Sequence, residues 1–307
     1  MCVGVKVYSF PLGEKIIGLA LIDRQLYVLR ERSCEEIDVY STVNCRLLRR
    51  INISDLNRDS SVTWPKTHSY LDMVSCPVKK CLYLTSNIPY RSSIQRIDLL
   101  GNISQSDIFD FMAYGISVER NCNLLLSGYR SSGPVKYATN HREKKSHAIV
   151  EWDWKASKII RDIRLALECD NFLCHPLHSS NYHAVVHSSH GVGLVDIRQG
   201  DTGDRGLSFY RSYGRGCGSS VGQLNKPCHM AEDRDKGVIF VADSENGRVV
   251  LLSRSLVFIH NITDGMKDHH VRRVCFDSAT RRLYVGVESK EGGVLKVLIF
   301  RSGGCQQ

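Results

Sequence analysis

Five polar side chains recur at one phase of a repeating pattern: Asp72, Tyr114, His175, His229 and Arg273 each lie about ten residues before an apolar strand-like step, with Ile17 in the first copy. In a ring of small β-sheets that phase lines the central channel. Two imidazoles, a phenol, a carboxylate and a guanidinium converging there suit a metal or an anion gripped at the channel mouth. Cys174-His175 and Cys228-His229 fall in equivalent places if one turn is a residue shorter. Two ring-related histidines are fewer than the three protein ligands usual for catalytic zinc, so no metal, cofactor or catalytic residue is expected. The plainer reading is a polar channel lining that contacts water or its own neighbours.

A second set of residues sits on one insertion, 128–147, which carries Arg130, Lys136, His141, Arg142, Lys144 and Lys145 with Tyr129 and Tyr137 interleaved. Basic and aromatic side chains on one loop suit phosphate contacts and base stacking, the plainer alternative being a solvated surface loop. Nucleophile motifs, phosphate loops and dinucleotide fingerprints are lacking. Gly214-x-Gly216-x-Gly218 leads into a Ser-rich loop and a strand instead of a helix N-terminus, and reads as a flexible linker.

The elements that must position these residues are strands. A unit of strand, polar turn and second strand recurs about six times, anchored on Leu26-Tyr27-Val28, Leu82-Tyr83-Leu84, Leu124-Leu125-Leu126, Ala184-Val185-Val186, Ile239-Phe240-Val241 and Leu283-Tyr284-Val285. The spacing brackets the roughly 40–50 residues of a four-stranded propeller blade. Turn formers such as Asp23-Arg24-Gln25 and Asn121-Cys122-Asn123 precede the anchors, and alternating strands such as Glu36-Ile37-Asp38-Val39-Tyr40 and Ala148-Ile149-Val150-Glu151-Trp152 follow them. Helical periodicity is sustained almost nowhere and there are only seven prolines, so the chain reads as all-β. Residues 1–307 are expected to form a single six-bladed β-propeller, with seven blades the alternative because the gap between Leu126 and Ala184 is long. The last blade lacks an outer strand of its own, and an open edge invites aggregation. Residues 3–10, which alternate like a strand, are predicted to complete it.

One blade resembles a known repeat. Gly222-Gln223-Leu224-Asn225-Lys226-Pro227 leads into a strand, and Val241-Ala242-Asp243-Ser244-Glu245-Asn246-Gly247-Arg248-Val249 closes the unit, with Arg248 placed to bond back across the turn. This stretch resembles an NHL repeat, and the final blade is a weaker copy; together they cover a minor part of the chain. The resemblance implies a propeller similar to the C-terminal domains of tripartite-motif ubiquitin ligases and of RNA-binding translational repressors. It is similar in fold to an amidating lyase and to lactonase-type hydrolases. No RING, B-box or sustained heptads occur in these residues. Glu151-Trp152-Asp153-Trp154 looks like a WD repeat but lacks the preceding Gly-His, and reads more simply as an aromatic covering a blade.

Composition bounds what such a scaffold does. Hydrophobic content of 42% with 24% charged residues is that of a globular protein, and no apolar run approaches the ~20 residues of a membrane span. The N-terminal stretch alternates instead of forming a signal-peptide core, so a soluble, cytoplasmic protein is expected. The 12 cysteines are accordingly read as reduced thiols; Cys76 with Cys81, and Cys169 with Cys174, are spaced too widely for zinc knuckles. Sequons at Asn52, Asn102 and Asn261 would matter only in a secretory compartment. A formal charge of +9 favours acidic partners without choosing between nucleic acid and protein. These readings converge on a non-enzymatic scaffold that binds a protein partner through a propeller face. RNA binding through a basic face is the alternative, and a metal-dependent lyase or hydrolase in the channel a more distant third.

Overall fold

The computed structural model describes residues 5–31, 36–53, 69–88, 91–109, 111–130, 146–165, 172–177, 183–187, 189–196, 208–263 and 265–300. The chain opens with β1 (Val5–Pro11) and then winds through blade one, β2 (Ile16–Ile22), β3 (Gln25–Arg30), β4 (Glu36–Ser41) and β5 (Leu47–Asn52). Blade two holds β6 (Ser69–Cys76), β7 (Cys81–Ile88), β8 (Arg91–Asp98) and β9 (Ile103–Phe109), and blade three β10 (Met112–Val118), β11 (Leu124–Arg130), β12 (Ser146–Asp153) and β13 (Lys158–Arg164). Blade four is made of β14 (Phe172–Pro176), β15 (His183–His187), β16 (Gly191–Val195) and the short β17 (Arg211–Tyr213). Blade five comprises β18 (Pro227–Asp233), β19 (Val238–Asp243), β20 (Arg248–Ser253) and β21 (Phe258–Ile262), and blade six β22 (His270–Asp277), β23 (Arg282–Ser289) and β24 (Gly292–Phe300). Every sheet is four-stranded and antiparallel, and the six inner strands touch in sequence and close into a ring. The count is six: the long gap between Leu126 and Ala184 holds the third and fourth strands of blade three and the inner strand of blade four, together with residues 131–145, which lie outside the described residues.

Closure follows the predicted route. β1 pairs antiparallel with β24 from Val5↔Phe300 to Pro11↔Val294, so the N-terminal segment is the outer strand of blade six. Lys296 adds a side-chain bond to Ser9 across that seam, Nζ to Oγ 3.1 Å.

The second-strand anchors explain the core. Their middle residues, Tyr27, Tyr83, Leu125, Val185, Phe240 and Tyr284, are each 0–2% exposed because each side chain packs toward a neighbouring blade. Tyr27 joins Met73 and Leu82 of blade two; Tyr83 meets the Trp154 ring of blade three edge-on at 5.1 Å; Phe240 stacks on Phe276 of blade six at 4.9 Å. Trp154 thus covers a blade, as read from the Glu151-Trp152-Asp153-Trp154 phrase. An aromatic in that slot supplies the largest apolar area for two rotatable bonds, on the order of 2–3 kcal/mol of burial.

Inner strands carry a second regularity. In five of the six a β-bulge offsets the pairing with the second strand, at Ile17, Leu71, Tyr114, Cys228 and Arg272. A bulge adds twist and re-aims the following side chain, as a strand curving round an axis requires. Blade four has no such bulge.

Candidate functional site

The residue that follows each bulge defines one layer around the axis: Gly18, Asp72, Gly115, His229 and Arg273. Spacing alone placed Ile17 and Tyr114 in this layer. They are instead the bulged residues, one position earlier. At Gly18 a Cβ would stand 2.6 Å from the Cβ of Met73, so only glycine lets blade two approach there. Blade four departs more. His175 pairs with Ala184 whereas Phe172 pairs with His187, which places His175 three residues beyond the layer and not in register with His229. The physical reason that counting residues failed in this blade is its longer hairpin: Pro176 pairs with His183, leaving six residues between the paired ends against four between Asp233 and Val238 in blade five.

Three of the five predicted channel residues do meet. Arg273 Nε donates to the Ile17 carbonyl at 2.7 Å and its Nη2 to the Leu71 carbonyl at 2.6 Å, with Asp72 Oδ1 at 3.5 Å from Nε. Asp72 accepts the amide N–H groups of Met73 (3.0 Å) and Ile116 (3.1 Å). His229 Nδ1 accepts the Val274 N–H at 3.4 Å, so in the neutral ring Nε2 carries the proton and faces Asp72 Oδ1 at 3.9 Å. Burial raises the Asp72 carboxyl above its ordinary range, although Arg273 and the two amides pull it down. Burial, then Arg273 and His175, hold His229 well below its ordinary value and therefore uncharged at neutral pH. These three side chains tie five blades together across the axis. Their hydrogen-bonding groups are largely consumed by the protein itself.

The other two predicted channel residues lie elsewhere. Tyr114 packs on Tyr129, ring centroids 5.5 Å apart. Tyr129 and Arg130 are the last residues of β11 instead of loop residues, and Arg130 is ion-paired to Asp162 at 2.5 Å and lies over the Phe111 ring. Lys136, Tyr137, Arg142, Lys144 and Lys145 fall outside the described residues.

His175 marks the opposite end of the channel. Within each blade the turns joining first to second and third to fourth strands share one end, here called the hairpin face; the crossovers between blades emerge at the other. Contacts between neighbouring turns confirm the shared face: Lys80 Nζ to Asp23 Oδ2 at 2.7 Å, Arg281 to Asp233 at 2.5 Å, and Arg282 to the Val43 carbonyl at 3.0 Å. At the hairpin-face mouth a cavity of about 160 Å³ opens between blades, lined among others by Pro77, Val78, Glu119, Arg120, Pro176 and Arg234. Ser75 in its wall is three positions along β6 from Asp72, about 10 Å of extended strand between the axial network and the mouth.

The chemistry of this mouth is a matched acid and two cations. Glu119 pairs with His183 Nε2 and takes the Arg120 N–H. Burial pushes the Glu119 carboxyl up, but the His183 and Arg120 bonds outweigh it and leave the group below its ordinary value, hence ionised. Arg120 Nη2 donates to the Leu177 carbonyl at 2.9 Å. Burial, then the charges of Arg234 and His183, pull His175 down to about 4. Glu119, Arg120, His183 and Arg234 were absent from the sequence-based set. Arg120 and Arg234 lie in the turns Arg120-Asn121-Cys122-Asn123 and 233–237, which read as turn formers and give no hint that Glu119 and His183 are brought to them.

The corner from Asp243 to Arg248 is a tether. Asp243 is 0% exposed and accepts Arg248 Nε at 2.7 Å, Asn246 Nδ2 at 2.8 Å and the Asn225 N–H at 2.6 Å. Arg248 also bonds the carbonyls of Ser219 and Gln223. The Gly214–Gly218 crossover is therefore pinned to blade five instead of being a free linker. Among the described residues no group of three or more His, Cys, Asp or Glu is placed to hold a metal ion, and all eight described cysteines are unpaired. No helix of the described residues is long and apolar enough to cross a membrane.

No protein-family model matches the chain, and no curated protein matches it in sequence. Among solved structures it is similar to a protein of unknown function from Bacteroides caccae, 11% identical over 87% of this chain and 88% of that one, with a TM-score of 0.57. At that identity the likeness shows the fold alone.

Proposed function

We propose that this protein is a non-enzymatic scaffold of the NHL type that binds a protein partner through its hairpin face. The observation that carries this reading is the distribution of exposed apolar side chains. Among the described residues six large exposed hydrophobics lie in turns, and five of them, Val43, Val78, Leu100, Tyr210 and Val257, stand on the hairpin face, against Val221 alone on the crossover face. The remaining exposed hydrophobics sit on the outer strands. Apolar tips around a polar cavity are the surface a partner buries, since burial of such residues drives association while the charged rim selects the partner. The NHL assignment rests on the 222–249 stretch, and the axial network, whose polar groups satisfy one another, favours binding over catalysis.

The test is in-cell crosslinking followed by mass spectrometry, repeated with Val78→Asp plus Leu100→Asp and, separately, with Val221→Asp. A specific protein should be recovered by the unmodified chain and by Val221→Asp, and lost by at least about tenfold from the double variant. Recovery of RNA in place of protein, or equal recovery by all variants, would sink the reading. The same preparation tests the cytoplasmic placement, which predicts unmodified Asn52, Asn102 and Asn261.

A further inference from the structure

We infer that the cavity at the hairpin-face mouth is a carboxylate subsite, filled by an acidic side chain of the partner peptide; this rests on the scaffold reading above. Charge complementarity carries the inference. Arg254 and Arg281 on the same face are neutralised by Glu232 and Asp233, at 2.8 and 2.5 Å. The Arg234 guanidinium, exposed between them and lining the cavity, has no partner among the described residues. Burial first, and the Arg234 charge second, depress His175 inward of the mouth.

The acid in the cavity lining, Glu119, is already occupied. Glu119 is committed to His183 and to the Arg120 amide. Asp98, Asp153 and Asp277 on neighbouring turns accept amide N–H groups of their own turns. Arg120 spends one N–H on the Leu177 carbonyl, and a guanidinium has five to give. Two guanidinium groups from blades three and five therefore face one small space with donors to spare. A carboxylate is the anion whose planar geometry they match. About 160 Å³ is room for roughly five waters at ~30 Å³ each, or for a carboxyl group on a short stem. The chain that carries the carboxylate would lie outside, across Val78 and Leu100.

Two fluorescein-labelled peptides test this, one alternating Glu with Leu and its counterpart alternating Gln with Leu, titrated by fluorescence anisotropy. The expected result is binding of the Glu peptide that weakens by about tenfold or more for the Gln peptide, and by a similar factor in Arg234→Ala, consistent with loss of one charged hydrogen-bonded contact. Arg234→Lys should recover part of the loss, and affinity should fall between about 50 and 200 mM salt. Equal affinity for the two peptides, binding indifferent to both Arg234→Ala and Arg120→Ala, or no binding of either peptide would overturn the inference. So would complete displacement of the peptide by equimolar glutarate, which would make the cavity a small-molecule site. The scaffold reading fails separately: a partner whose capture depends on Val78 and Leu100 but not on Arg234 leaves the scaffold standing without its carboxylate subsite.

Discussion

At the scale of single residues, the histidines record how dry the interior is. Burial, with the Arg234 charge second, brings His175 to about 4, and burial with His190 does the same for His187, which stacks on the Phe209 ring. In the unfolded chain both would titrate near ~6.5. Between those values the unfolded state binds protons that the native state refuses, so the stability these residues contribute is present above about 6.5 and lost as pH falls toward 4. Asp72 and Asp243, whose carboxyls burial raises, act in the opposite sense over their own range. Comparing variants isolates the histidines: His175→Gln combined with His187→Gln should lose less stability between pH 7 and pH 4.5 than the unmodified protein. Urea melts at the two pH values check this, and parallel losses would contradict it. The sequence reading singled out His175 but not His187, and nothing in it revealed that burial, with an arginine from the next blade second, holds His175 neutral.

At the scale of elements, the strands were legible because their alternation and turn chemistry are local properties. The second-strand anchors, the antiparallel hairpins and the β1 closure all follow from residues within a few positions of one another, apart from the seam, whose need was argued from an otherwise open edge. Bulges were not legible. One extra residue leaves no mark on hydrophobic alternation over so short a strand, and hairpins of unequal length shift the count from anchor to layer, so Ile17 and Tyr114 fall one position before the axial layer and His175 three beyond it. The seam gives the prediction at this scale. Without residues 1–11, β24 would present an unpaired edge from Val294 to Phe300, and the truncated protein should aggregate or lose cooperative melting. Light scattering with thermal unfolding reads the outcome; a monomeric, cooperatively melting truncation would show that closure depends on other contacts.

At the scale of the whole molecule, the ring is held at its rim by aromatic slots between blades and at its axis by Asp72, His229 and Arg273. Removing Asp72 as a side chain leaves the Arg273 charge buried beside an empty position. Asp72→Ala should therefore cost about 3–5 kcal/mol in urea unfolding. Asp72→Asn should cost less, because its single amide oxygen can still accept one of the two N–H groups, of Met73 or of Ile116, and because burial already disfavours the charged carboxyl. Equal losses in the two variants would mean that the Coulomb attraction to Arg273, and not the amide bonds, carries the contribution. By itself the sequence determined the class and the seam and narrowed the blades to six, with seven the alternative, since repeated local patterns specify repeated local structures; the structure decided for six. Which polar residues face one another was decided only by the tertiary structure. Asp72 is 201 residues from Arg273, and Glu119 is 64 from His183, separations over which only the closing of the ring, bulge by bulge, sets the register.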